Sequence, residues 1–121
     1  MELKILPFGL TVCKLPDAES PALPGGFCFF ANTGEERSLV CRTEEAPAVT
    51  LAREDGWRAF RIAGTLDFSL VGILSRLSGI LAAEGIGIFA VSTYDTDYIL
   101  VKAENLDRAA RALAGAGYTV A

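Results

Sequence analysis

The sequence contains no histidine, one tryptophan, one methionine and only three cysteines in 121 residues. Without histidine the commonest general acid/base is missing. So are the Ser-His and Cys-His nucleophile pairs and every histidine-containing metal site. The cysteines (Cys13, Cys28, Cys41) are odd in number and form no CxxC pair. They read as reduced, small core residues, and no metal site or cofactor is expected. An enzyme is disfavoured.

Long apolar runs are also missing. No stretch approaches 18 uninterrupted apolar residues, so no membrane-spanning helix is expected. Met1-Glu2-Leu3-Lys4 is not a basic segment leading into an apolar run, so the expectation is a cytoplasmic protein without a secretory signal. Basic clusters are absent as well. Residues 1–56 carry five basic and nine acidic side chains, and 57–121 carry six of each, so the net charge of −4 lies in the first half. Nucleic acid is a poor partner for such a chain, because phosphate neutralisation supplies most of that affinity.

What is present is a large apolar fraction, 51%, enough for a real core. Gly56–Ala63 alternates in the manner of a half-buried strand. Apolar positions 70, 73, 74, 77, 80 and 81 then follow helical spacing, with Asp67 or Ser69 as candidate caps and Gly85 as a stop. Ile86–Thr93 and Tyr98–Lys102 flank a turn and predict a hairpin. Asn105 predicts the cap of a second helix that ends at Gly115 and Gly117, before a short strand at 118–120. The order is βαββαβ, an α+β ferredoxin-like unit. The pairing of a strand near residues 3–6 is left open.

The first half repeats part of this pattern. An offset of 60 residues brings Phe29 onto Phe89, Thr33 onto Thr93, Leu39 onto Ile99 and Arg42 onto Lys102. The preceding strands, near Phe8–Leu15 and Gly56–Ala63, align with an offset of 48. The missing residues coincide with a segment holding Pro16, Pro21 and Pro24, where a long helix is not expected. Two modules follow, roughly 1–54 and 55–121, with the first stripped of its main helix.

The tracts from Thr65 to Leu74 and from Gly85 to Val101, above all STYDTDYILV, resemble the ACT domain. More narrowly, they resemble small bacterial tandem-ACT proteins related to the ACT modules of animal cytosolic arginine sensors. Glu35–Cys41 resembles the hairpin motif of that subfamily's first module. The resemblance implies a truncated ACT-like module followed by a ferredoxin-like one, sharing an antiparallel sheet, assembled into a homodimer and binding a free amino acid. The ligand would sit at the loop before the first helix (Leu66, Asp67, Phe68, Ser69) and at the start of the next strand (Gly87, Ile88, Phe89). Free N–H groups at a helix start suit a carboxylate, and Asp67 suits an ammonium. Glycine lets a ligand approach the backbone. In the animal sensors the matching hairpin binds a protein partner, which makes Tyr94, Asp95 and Asp97 the candidate contacts here.

Each of these residues also has a plain structural reading. Asp67 suits a cap, Phe68 and Phe89 suit the core, and Asp95 and Asp97 suit a solvated turn. Gly72 and Gly79, seven apart, suit close helix packing on the sheet. Two functions therefore compete, an amino-acid sensor and a ligand-free docking module that uses its sheet edge or the 94–97 hairpin.

Overall fold

A computed structural model of the chain describes residues 2–17, 23–63 and 72–121. In order, these form β1 (Glu2–Ile5), β2 (Leu10–Lys14), β3 (Cys28–Asn32), β4 (Arg37–Arg42), β5 (Ala52–Ile62), α1 (Ile73–Ala83), β6 (Phe89–Ser92), β7 (Asp97–Lys102), α2 (Leu106–Gly115) and β8 (Thr119–Val120). Single 3-10 turns occupy Thr43–Glu45 and Ala103–Asn105. The chain divides into two compact units, Phe8–Trp57 and Met1–Pro7 with Arg58–Ala121. Strand β5 spans the boundary, its first half pairing β2 and its second half pairing β1.

The C-terminal unit has the expected βαββαβ order, with one addition. Strand β1, from the start of the chain, lies between β5 and β8. It runs antiparallel to β5 (Leu3 opposite Ile62) and parallel to β8 (Leu3 opposite Val120). The sheet is thus mixed rather than wholly antiparallel. Residues 2–7 belong here because Leu3 is buried with Phe60 and Ile62, and because Ala121 N–H donates to the Leu3 carbonyl at 2.9 Å. Both helices pack their apolar stripe into this core, through Leu77 and Leu81 of α1 and Ala109 and Leu113 of α2.

The helix ends follow from glycine. Gly85 and Gly117 have φ of 72° and 103°, a left-handed conformation that costs a glycine little. Each closes a Schellman motif: Ile86 N–H donates to Leu81 O and Gly85 N–H to Ala82 O, and Tyr118 and Gly117 do the same to Leu113 and Ala114. The helix starts differ from expectation. The N-cap position of α1 is Gly72, at φ 83°, and not Asp67 or Ser69. Gly72 and Gly79 are exposed, and among the described residues a Cβ at either would meet nothing within 4 Å, so neither serves close packing there. Asn105 stands at the N-cap of α2 but makes no capping bond, since its Oδ1 accepts from Arg108 instead.

The N-terminal unit is a four-strand antiparallel arrangement in the order β3-β4-β2-β5. Among its described residues the 3-10 turn at Thr43–Glu45 is the only helical piece. Among the described residues neither helix of the C-terminal unit has a counterpart here. Only residues 46–51 separate that turn from β5, too few for two helical turns and a return. One core cluster here joins Cys13, Leu15, Leu39 and Cys41, with Cys28 and Ala46 packed against it, and Leu10 and Val40 are buried as well.

The two hairpins share register and turn hydrogen bonds at an offset of 60 residues. Strands β4 and β7, and the 3-10 turns after them, have the same bounds at an offset of 60 residues. Phe29 lies opposite Val40 as Phe89 lies opposite Leu100. Thr33 N–H donates to Glu36 O at 3.1 Å, and Thr93 N–H to Thr96 O at 2.8 Å. For the preceding strands, burial sets the offset at 49 rather than 48: residues 10, 11 and 13 are buried, as are 59, 60 and 62. This puts Thr11 where the other unit has Phe60.

Candidate functional site

The segment before β6 is shaped by the end of α1. Gly85 reverses the chain, Ile86 plugs into the core at 4% exposure, and Gly87 emerges exposed with open space where a Cβ would stand. Ile88 is half-buried and packs against the main core cluster, and Phe89, also half-buried, begins β6. Helix α1 starts with Gly72, and its first turn contains no acidic residue and no side-chain cap among the described residues. Its leading N–H groups carry the positive end of the helix dipole. By contrast, α2 has Asp107 in its first turn and a 3-10 turn leading into it. Gly87, Ile88 and Phe89 are thus consecutive at one strand entrance, while Leu66, Asp67, Phe68 and Ser69 lie outside the described residues.

The 94–97 hairpin divides the other candidates. Tyr94 is 83% exposed, and Asp95 is exposed beside it. Asp97 is half-buried, and its Oδ1 accepts a hydrogen bond from Ser92 Oγ across the strands. It is therefore engaged inside the hairpin, a structural role that its sequence position did not reveal. Thr96 went unnoticed in the sequence and anchors the tip. Its side chain is buried and donates to the Ile62 carbonyl at 2.8 Å.

Two further groupings escaped the sequence reading. In the first, Asp55 Oδ1 receives the Thr11 hydroxyl at 2.6 Å and Arg53 Nε at 2.9 Å. Thr11 Oγ1 also lies 3.0 Å from Thr43 Oγ1. A carboxylate only accepts, so Thr11 spends its proton on Asp55 and takes one from Thr43. The Thr11 hydroxyl and then Arg53 hold the Asp55 carboxyl below the usual carboxylate range. In the second, Phe8, Phe27 and Phe29 stack edge to face at centroid distances of 5.2 and 5.0 Å, with the Arg42 guanidinium 4.3 Å from the centre of the Phe8 ring. Neither grouping could be found from spacing alone, because each joins residues that only the strand register brings together.

Among the described residues no cluster of three metal-ligating side chains occurs, and no helix is long and apolar enough to cross a membrane. Residues 52–115, more than half of the chain, match the family model of the ACT domain. The chain belongs to the ACT domain family. Membership places it with regulatory small-molecule-binding modules. A protein of known crystal structure from Agrobacterium tumefaciens is 34% identical, with a TM-score of 0.89 over 99% of this chain and 91% of that one. A Vibrio cholerae protein of unknown function, described as a possible transport protein, is similar at 20% identity and a TM-score of 0.69, over 94% and 88% of the two chains. The ligand-free regulatory subunit of aspartate kinase from Thermus thermophilus matches over 97% of both chains, with a TM-score of 0.69 and 11% identity. The last two likenesses concern the fold alone. No curated protein sequence matches this ACT protein.

Proposed function

We propose that this ACT protein is a non-catalytic regulator that binds a free amino acid through the 66–69 loop and the Gly87–Phe89 segment. Two observations support it: a helix start at Gly72 with no side-chain cap among the described residues, and an open glycine at the entrance of β6. The N–H groups of α1 suit the ligand carboxylate, and Asp67 suits its ammonium. Gly87 admits the ligand backbone, and Ile88 and Phe89 supply apolar wall. The two units act as tandem ACT-type modules, the first reduced to its sheet. The chain works as a two-fold homodimer in the cytoplasm, and its three cysteines are free thiols in the resting protein.

Thermal melting against each of the twenty amino acids tests this reading. A ligand present at 100 times its Kd adds about 2.7 kcal/mol of stability. One or a few amino acids should raise Tm, and Asp67→Asn should weaken the response about tenfold or more, because a charge-assisted bond is lost. No shift with any amino acid overturns the proposal. Sedimentation equilibrium tests the assembly: a mass of twice 12.8 kDa is expected, and a concentration-independent 12.8 kDa contradicts it.

A second reading rests on Tyr94, which stands 83% exposed at the hairpin tip. On it the hairpin docks a regulated protein, as the likeness to the animal arginine sensors implies, and Tyr94 and Asp95 carry the contact. A Tyr94→Ala variant that keeps its ligand response but loses partner regulation would separate the two functions.

A further inference from the structure

We propose that Cys28 and Cys41 form a dithiol site that exchanges with low-molecular-weight disulfides and closes a cross-strand disulfide between β3 and β4. The two residues lie directly opposite each other in the antiparallel register. Two independent bonds identify the type of pair. Thr33 N–H donates to Glu36 O at the hairpin end, and alternation from there makes 29/40 hydrogen-bonded and 28/41 not. On the other side, Leu15 N–H donates to Arg37 O, so the backbone groups of residues 37, 39 and 41 point towards β2 and away from β3. A non-hydrogen-bonded pair brings its Cα atoms to about 4.5 Å and its side chains closest, within the 4.4–6.8 Å window of disulfides.

Cys13 is excluded by the same register. It lies opposite Leu39, and Cys41 lies opposite Thr11, so Cys13 and Cys41 are diagonal neighbours. Diagonal Cβ atoms are separated by up to about 7–8 Å, beyond the roughly 3.5–4.5 Å that a disulfide needs.

Exposure assigns the order of events. Cys28 is half-buried and its thiol points to the Pro24 carbonyl at 3.7 Å, whereas Cys41 is fully buried. Burial pushes the Cys41 thiol up to about 11, which leaves little thiolate for attack from solvent. The Cys28 thiolate therefore attacks one sulfur of the small disulfide, forming a mixed disulfide and releasing one thiolate. Cys41 then attacks Cys28 Sγ and releases the second. The two protons lost by the cysteines pass to the two leaving thiolates, and the two electrons reduce the small disulfide.

Each cysteine falls on its own tryptic peptide: 5–14, 15–37 and 38–42. The full chain is incubated natively with oxidised glutathione, quenched with N-ethylmaleimide, digested and mass-analysed. Peptide 15–37 joined to 38–42 is the expected product. It should exceed every Cys13-containing link about tenfold or more, whereas in guanidinium the similar spans 13–28 and 28–41 close at comparable rates. Cys13→Ser should keep the link, and Cys41→Ser should stop at a glutathione adduct on Cys28. Links through Cys13 in the native chain, or a Cys28 adduct that persists in the parent chain, would overturn the site.

Discussion

The two units carry the same hairpin, in the same register, 60 residues apart, yet they solve the problem of covering a sheet differently. In the C-terminal unit two amphipathic helices bury Phe60, Ile62, Ile99 and Val101 in a core of ten buried residues. In the N-terminal unit, where the described residues hold no helix beyond one turn, the matching face carries Cys13, Leu15, Leu39 and Cys41. Where Phe60 fills space, Thr11 joins a polar chain with Thr43 and Asp55. Small and polar side chains can be sealed by loops and strands. In the C-terminal unit two helices cover the large apolar ones. The hairpin survives in both units because its register depends on its own turn and alternation, not on what lies above it.

Deleting core volume should expose this difference most strongly. Phe60→Ala is expected to cost about 3–5 kcal/mol in denaturant titrations, and Leu39→Ala about 2–3, because the cavity in the smaller cluster has fewer neighbours to lose. Equal costs would mean that the small N-terminal core packs as tightly as the larger one. The hairpin tips offer a finer test. Thr96→Val removes the hydroxyl that satisfies the Ile62 carbonyl and should cost about 1–2 kcal/mol, whereas Glu36→Ala, at the exposed counterpart, should stay within about 0.5. Similar losses would show that the tips are equally anchored.

The smallest effect expected is one of pH. The Asp55 carboxyl is held below its ordinary value, so its contribution is present above the unfolded carboxylate range, near pH 4, and is lost as pH falls through the folded value. Thermal melts between pH 2.5 and 5 should show Asp55→Asn flattening the acid limb of the stability curve. An unchanged acid limb would mean that the Thr11–Asp55–Arg53 bonds add nothing to stability.

The βαββαβ order, both helix stops and the repeat offset of 60 were legible in the sequence, because glycine stops and helical or alternating periods are local signals. The family resemblance rested on the 65–74 and 85–101 tracts, which lie inside the matched region, and on Glu35–Cys41, which lies outside it. Strand β5 begins at Ala52 rather than near Gly56, and Arg53-Glu54-Asp55 shows no apolar alternation to announce it. The insertion of β1 beside β8 was illegible, since a four-residue strand carries no information about a partner more than a hundred residues away. In the candidate site, the open, exposed position of Gly87 after the helix stop could be read from the glycine pattern. The internal bond of Asp97 to Ser92 could not, because it depends on cross-strand placement.

Amide NMR of the labelled chain, titrated with each amino acid that raises Tm, tests the central claim most directly. A saturable response centred on residues 66–69, 72–75 and 87–89, with 94–97 unmoved, is the predicted result. Titration of all twenty with no saturable change at those amides would contradict it.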